Sequence, residues 1–206
     1  MDRNSRLDGV TVTPEDVLRF WLGPPGSSPL ENATKWYMKD EGFDREIEAR
    51  FGAALEHGAE GALDGWKTSP RGRIALVILL DQFSRNVYRN QPRAFAQDSR
   101  ARSIALEAIA AGDEASLTVV ERTFLYMPLE HAEDVELQRQ CVSKFERLRD
   151  DAPPELRKFA ESGLDYARRH ADIIERFGRF PHRNVILGRT STPDEIEFLK
   201  QPGSSF

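Results

Sequence analysis

The longest apolar run of the sequence leads directly into a dense polar segment, and together they read Arg73-Ile74-Ala75-Leu76-Val77-Ile78-Leu79-Leu80-Asp81-Gln82-Phe83-Ser84-Arg85-Asn86-Val87-Tyr88-Arg89. A helix start precedes the run, because Ser69-Pro70 combines a favourable N-cap residue with proline at the first helical position. The β-branched residues would also suit a buried strand, but no other segment has the pattern of a strand that would pair with it. We therefore predict a central helix, buried on all sides, whose polar end either is satisfied by partners or lines a pocket.

Start and stop signals divide the rest of the chain into further helices. The cap-then-proline start recurs at Thr13-Pro14 and Thr192-Pro193, and Gly178 has the residue type that ends a long helix in a left-handed conformation. Pro128 is expected to end another helix near Tyr126, because proline disfavours helical geometry in the residue before it. The pattern predicts an all-α protein of about eight helices, either an irregular bundle or an array of helical hairpins.

Composition limits the partners and the compartment. The 206 residues carry a net charge of −5, which disfavours nucleic acid because phosphate contacts need a basic surface. No apolar run approaches the length of a membrane span, and the N-terminal residues lack the apolar core of a signal peptide. The single cysteine, Cys141, excludes an internal disulfide. We expect a cytoplasmic protein with no membrane partner, built as one domain over 1–206, with 1–12 and 201–206 frayed.

The first group of candidate site residues lies at the polar end of the central helix and comprises Asp81, Gln82, Arg85, Asn86 and Arg89. Four-residue steps place Asp81, Arg85 and Arg89 on one helix face, so Asp81 and Arg85 are spaced as a helical ion pair. Arg89 would then be left to bind an anionic ligand. The same residues would also serve as a simple cap of the central helix.

The second group follows the predicted proline break and consists of Glu130 and His131. These two residues are the candidates for acid–base chemistry, since a carboxyl group and an imidazole in suitable surroundings both titrate near neutral pH. They are adjacent, so on a helix their side chains would diverge by about 100°. The spacing matches no metal motif such as His-Glu-x-x-His. The alternative interpretation is a helix N-terminus that carries acidic residues.

The third group belongs to a basic island late in the chain, and its candidate ligand-binding residues are Arg179, His182, Arg183 and Asn184. An arginine-rich island suits anion binding, although Glu175 lies four residues before Arg179 and would offer it a helical ion pair. His170 lies on the apolar stripe of the long helix that ends near Gly178. A buried histidine must be hydrogen-bonded, and the expected partner of His170 is Glu130 or Asp81.

Three blocks resemble the signature of a known family, and they read Leu79-Leu80-Asp81-Gln82-Phe83-Ser84-Arg85-Asn86, Tyr126-Met127-Pro128-Leu129-Glu130-His131 and Arg179-Phe180-Pro181-His182-Arg183-Asn184. The family is the mainly bacterial one called domain of unknown function nine hundred twenty-four. The resemblance covers nearly the whole chain, from Val17 to Pro193, and departs at Ser84, where the family usually has proline. It implies a helical fold similar to tetratricopeptide-repeat superhelices, and it implies no reaction.

We predict that the three groups converge on one pocket that binds a small anionic or polar ligand without a cofactor or metal. Arg89, Arg179 and Arg183 would supply charge, while Glu130 and His131 would supply acid–base capacity. One alternative is a peptide-binding scaffold of tetratricopeptide type with an extended concave face. Another interpretation is that the polar clusters only lock helix ends together. A further alternative is a metal-dependent hydrolase that would use Glu130, His131, His170 and His182.

Overall fold

A computed structural model describes residues 12–205, and between these residues the chain forms helices, turns and loops without a strand. The all-α prediction is confirmed. Short 3₁₀ turns at Asp64–Thr68, Pro92–Phe95, Asp113–Ser116, Pro154–Leu156 and Pro181–Arg183 connect the α-helices. The α-helices are α1 (Pro14–Leu22), α2 (Ala33–Trp36), α3 (Glu41–Ala59), α4 (Pro70–Val77), α5 (Ser84–Val87), α6 (Asp98–Ala110), α7 (Val119–Glu130), α8 (Val135–Asp151), α9 (Arg157–Phe177) and α10 (Pro193–Phe198).

The predicted central helix is present, but its hydrogen-bonding pattern changes from α to π in the middle. A π-helical segment, Ile78–Phe83, joins α4 to α5, so the three form one continuous rod. Every residue from Ile74 to Ser84 is buried. π-helical turns are rare and often occur at functional sites, because the extra residue per turn re-aims the side chains that follow. The apolar run predicts the helix, but nothing in its periodicity predicts the π-helical segment.

Aromatic side chains anchor the surrounding helices to this rod. The Phe83 ring lies 5.4 Å from the Trp21 ring of α1 and 5.0 Å from the Phe51 ring of α3. Trp21 in turn lies edge-on to Phe124 of α7. Burying one side chain of this size stabilises a fold by roughly 1.5–3 kcal/mol. The central helix is therefore enclosed by α1, α3 and α7, with α6 packed on α4 as well.

The predicted helix ends are present. Ser69 Oγ accepts a hydrogen bond from the Gly72 amide at the start of α4, and Thr192 forms a capping box with Glu195 at the start of α10. Gly178 ends α9 with φ of +68°, a left-handed conformation that favours glycine. Each N-cap of this kind stabilises a helix by about 1 kcal/mol.

The prediction that Pro128 ends its helix is wrong. Helix α7 continues through Pro128 to Glu130. A proline inside an exposed helix costs about 3 kcal/mol, because it removes one hydrogen bond and crowds the preceding turn. Here every residue from Phe124 to Glu130 is buried, so tertiary packing outweighs that local cost.

The chain ends are only partly described. Residues 1–11 and 206 lie outside the described range, and so does most of the predicted N-terminal fraying. Near the other end, Ser204 is buried and donates a hydrogen bond to the Leu199 carbonyl at 3.1 Å. Consecutive helices α7, α8 and α9 pack on one another, while the tetratricopeptide-repeat likeness stays a prediction. Among residues 12–205, no helix has both the length and the apolar character needed to cross a membrane.

Candidate functional site

A cavity of about 550 Å³ opens where the polar end of the central helix meets α7 and α9. Seven of the predicted site residues line it, together with an aromatic wall from residues 36–37 and α8–α9. The predicted residues are Gln82, Arg85, Asn86, Arg89, Glu130, His131 and His170, and the wall consists of Trp36, Tyr37, Phe145, Phe159 and Tyr166. Four of the five residues of the first group, both residues of the second group and His170 therefore line one cavity.

Asp81 lies beneath the cavity and holds the ring of His131. It is fully buried, and its Oδ1 lies 2.8 Å from His131 Nδ1. Burial would raise the pKa of Asp81, but the neighbouring His131 and Arg85 hold it well below its usual range. Burial, and then the charge of Arg85, lower the pKa of His131. An ionised Asp81 can only accept, so Nδ1 of the neutral imidazole carries the hydrogen and Nε2 is left as the basic atom.

Glu130 and His170 form a second carboxyl–imidazole pair at the same cavity. The distance between Glu130 Oε1 and His170 Nδ1 is 3.1 Å, so the two groups are in contact. His170 Nδ1 also donates to the Tyr166 carbonyl at 2.8 Å. Burial and the charge of Asp81 raise the pKa of Glu130 to about 8, while burial lowers that of His170. At neutral pH Glu130 is therefore mostly protonated beside a neutral His131, and such a pair can exchange protons with a bound molecule.

A chain of alternating acidic and basic side chains connects Arg183 of the third group to Arg85, which lines this cavity. Arg85 Nη2 lies 3.3 Å from Asp81 Oδ1 and 3.0 Å from Asp98 Oδ1. Arg183 Nη1 lies 3.2 Å from Asp98 Oδ2 and donates to the His131 carbonyl at 3.1 Å. The Asp81–Arg85 helical pair is confirmed. Arg183 does not line the cavity, and its contacts hold the segment that carries His131.

The prediction that Arg89 is free to bind an anionic ligand is wrong. Its Nε and Nη2 donate to both carboxylate oxygens of Asp44, at 2.7 and 2.8 Å. Asn86 donates to the same carboxylate at 2.8 Å. This two-point geometry is the strongest that an arginine makes with a carboxylate, so Arg89 is not left over for a ligand.

Arg179 and Asn184 also lie away from the cavity. Both donate to Glu195 of α10, Arg179 Nε at 2.6 Å and Asn184 Nδ2 at 3.3 Å. The expected pair of Arg179 with Glu175 does not form, because Gly178 ends α9 between them and turns the chain. These two site residues therefore secure the C-terminal segment to the rest of the fold.

The remaining candidate residues make structural contacts and do not line the cavity. His182 packs against Phe180, with ring centroids 5.7 Å apart, and does not line the cavity. Asp134 caps the start of α8 by accepting from the Leu137 amide, as the acidic N-terminus interpretation expected. In the described part of the chain no three His, Cys, Asp or Glu side chains are arranged to hold a metal ion. Cys141 is buried in the core, as its apolar helix face indicates.

Sequence reasoning missed the aromatic wall and the rim of the cavity. Tyr37 and Met38 lie at the rim with 61% and 56% of their surface exposed. Large apolar side chains that stay this exposed beside a cavity often mark a binding site. The signal was the run Trp36-Tyr37-Met38 on a segment too short to bury all three residues.

Gln138 of α8 holds the end of α7 that carries both candidate acid–base residues. It is fully buried, and its Nε2 donates to the carbonyls of Glu130 and Ala132 at 2.6 and 2.8 Å. Gln138→Ala would leave these buried carbonyls without a donor, so we expect the free energy of unfolding to fall by about 2 kcal/mol. Urea unfolding measures this change, with exposed Gln91→Ala as the control. Equal stabilities of the two variants would show that Gln138 does not hold this helix end.

The fold and the cavity define an all-α protein with two buried carboxyl–imidazole pairs at one site. The chain belongs to the family described as bacterial protein of unknown function (DUF924), whose model matches residues 17–203. This confirms the family that the three sequence blocks indicated. The chain is also similar to a solved protein of unknown function, ATU0120 from Agrobacterium tumefaciens, with 36% identity and a TM-score of 0.79. That similarity covers 92% of this chain and 97% of the other. No curated protein matches the chain.

Proposed function

We propose that this protein binds a small polar molecule in the cavity and that Glu130 and His131 exchange protons with it. The observation that carries the proposal is a cluster of buried ionisable groups at the cavity. Glu130 and His170 line it with 5% and 3% of their surface exposed, and the fully buried Asp81 contacts His131 of the lining. Burying an ionisable group such as Glu130 without a cation beside it costs stability, and groups with strongly shifted pKa values cluster at functional sites. A volume of about 550 Å³ lies in the range of small-molecule sites.

The same observation favours a pocket over a peptide-binding scaffold. A tetratricopeptide-type scaffold would expose polar and aromatic residues along an extended concave groove. Here the polar groups and the aromatic side chains line one cavity where the central helix meets α7 and α9. The anionic part of our expectation loses support, because Arg89 and Arg183 already have carboxylate partners. The metal-dependent hydrolase gains no support from the arrangement of the described residues.

A thermal-shift screen with a blocked variant tests the proposal. A ligand at one hundred times its dissociation constant adds about 2.7 kcal/mol to the free energy of unfolding. For a chain of this size we expect the midpoint to rise by about 5–10 °C. Ser162 is exposed and lines the cavity, so Ser162→Trp should place a bulky ring across it and abolish the shift. Ser103 is exposed on α6 and does not line the cavity, so Ser103→Trp is the matched control. A shift that survives in Ser162→Trp would place binding elsewhere.

We also propose that the protein works in the cytoplasm. The thiol of Cys141 is free and buried, and burial raises its pKa well above the usual value, so it resists oxidation and forms no disulfide. A protein whose only thiol is kept this way suits a reducing compartment. Recovery of the protein in the periplasmic or membrane fraction of cells would contradict this location.

A further inference from the structure

We propose that the ligand of this cavity carries an ammonium group and that Glu130 is its counter-ion. The inference rests on the proposed function and adds the chemical class of the ligand. It is carried by two independent features of the cavity, which are the pairing of its charged groups and the composition of its wall.

The arginines that line the cavity are paired with carboxylates, whereas the side chain in contact with Glu130 is the neutral imidazole of His170. Arg85 and Arg89 line the cavity but contact Asp81, Asp98 and Asp44. Within residues 12–205, no lysine or arginine lies within ion-pair distance of Glu130, and its contact is with the imidazole of His170. Buried carboxylates are almost always paired with a cation or hydrogen-bonded to several donors. A ligand ammonium would pair with the carboxylate that forms when Glu130 releases its proton.

The wall of the cavity is also suited to a cation. Trp36, Tyr37, Phe159 and Tyr166 line it, and the Trp36 ring lies 6.0 Å from the Phe159 ring. The faces of aromatic rings carry partial negative charge, and groups of such rings bind ammonium ligands. Lys39 at the rim is exposed, so solvent and salt screen its charge.

Binding of an ammonium to Glu130 should release a proton near neutral pH. Asp81 and Arg85 act on the pKa of Glu130, and His170 contacts its carboxyl group. Glu130 in turn raises the pKa values of Tyr37 and Cys141, and His131 lines the same cavity. Between pH 7 and 9 the pKa shifts keep both histidines neutral, Asp81 and Arg85 charged, and Tyr37 and Cys141 protonated. Glu130, with its pKa raised to about 8 by burial and then Asp81, is therefore the group of this set that titrates. The affinity for an ammonium should rise about tenfold per pH unit up to pH 8 and then level off.

Three probes that share a phenyl ring separate this inference from simple cavity binding. They are 2-phenylethylamine, 2-phenylethanol and 3-phenylpropanoate, whose head groups are cationic, neutral and anionic. We expect calorimetry at pH 7 to give the amine a dissociation constant at least about tenfold below that of the alcohol, as a charge-assisted hydrogen bond allows. Titration in phosphate and in Tris buffer should report release of close to one proton for each amine bound.

Glu130→Gln is the decisive variant, because it keeps the size of the side chain and removes the charge. It should weaken the amine at least about tenfold and abolish the proton release, and it should change the alcohol by less than about twofold. Glu146→Gln, an exposed carboxylate on α8 that pairs with Arg168, is the matched control.

Each outcome has one meaning. If the alcohol or the propanoate binds as tightly as the amine, or if Glu130→Gln leaves the amine affinity unchanged, the ammonium inference fails and the cavity remains a ligand site. If none of the three probes binds the native protein more tightly than Ser162→Trp, the proposed function fails as well.

Discussion

Replacement of Asp81 by alanine is expected to lower the free energy of unfolding by about 4 kcal/mol. Asp81 is fully buried and accepts from three side chains, Gln82 Nε2 at 2.5 Å, His131 Nδ1 at 2.8 Å and Arg85 Nη2 at 3.3 Å. Without the carboxylate, the partly buried guanidinium of Arg85 keeps one carboxylate partner, Asp98, and the His131 ring loses the acceptor that orients it. Breaking a buried ion pair from one side is costly because the remaining charge stays desolvated.

An exposed pair of the same spacing is the control for Asp81→Ala. Asp165 and Arg169 of α9 form an i,i+4 pair at 2.6 Å, with more than half of each side chain exposed. Asp165→Ala should change the free energy of unfolding by about 0.5 kcal/mol or less. Guanidinium unfolding of both variants measures the difference. A cost for Asp81→Ala as small as that of Asp165→Ala would show that the buried cluster does not stabilise the fold.

Glu130→Gln is expected to act in the opposite direction and to raise the free energy of unfolding at pH 8 by about 4 kcal/mol. The pKa of Glu130 is raised from the model-compound value of 4.5 to about 8, by burial first and by the charge of Asp81 second. Below pH 4.5 the carboxyl is protonated in both the folded and the unfolded chain, so it costs nothing. Between pH 4.5 and 8 only the unfolded chain ionises it, and stability therefore falls as the pH rises. Glutamine avoids this loss and keeps the size of the side chain beside His170.

Urea unfolding at pH 5 and pH 8 measures this effect, which should be small at the lower pH and largest at the higher one. The contrasting variant is Glu121→Gln in the same helix. Glu121 is also buried, but it pairs with Arg71 at 2.8 Å and completes the capping box of Thr118. Its replacement should destabilise the protein by about 1 kcal/mol. If Glu130→Gln is less stable than the native protein at pH 8, Glu130 is ionised in the fold and stabilised by its surroundings.

Asp81→Ala and Glu130→Gln are thus expected to change the free energy of unfolding in opposite directions. Asp81 is a buried carboxylate with its partners already in place, and Glu130 is a buried carboxyl group that lowers stability at neutral pH. Proteins tolerate such a cost where activity or binding requires it. The stability of Glu130→Gln and its loss of amine binding would together show that the cost belongs to function.

The helices and their ends could be predicted because their causes are local. The apolar run from Ile74 to Leu80, the Ser69-Pro70 start and the Gly178 end each act within a few residues, through backbone hydrogen bonds and allowed dihedral angles. The Asp81–Arg85 pair was predictable for the same reason, since it spans one helical turn. Pro128 was mispredicted because its local cost is small beside the burial of the whole end of α7.

The sequence by itself determined that the chain is all-α, that it is organised around one buried helix, and that Glu130, His131 and His170 are candidates for chemistry. Only the tertiary structure decided which charges remain available to a ligand. Arg89 meets Asp44 across 45 residues, and Arg183 meets Asp98 across 85. Ion pairs at such separations depend on how helices pack and leave no periodic trace in the sequence. The same packing placed the aromatic wall opposite Glu130, because a cavity is formed by side chains that no local rule brings together.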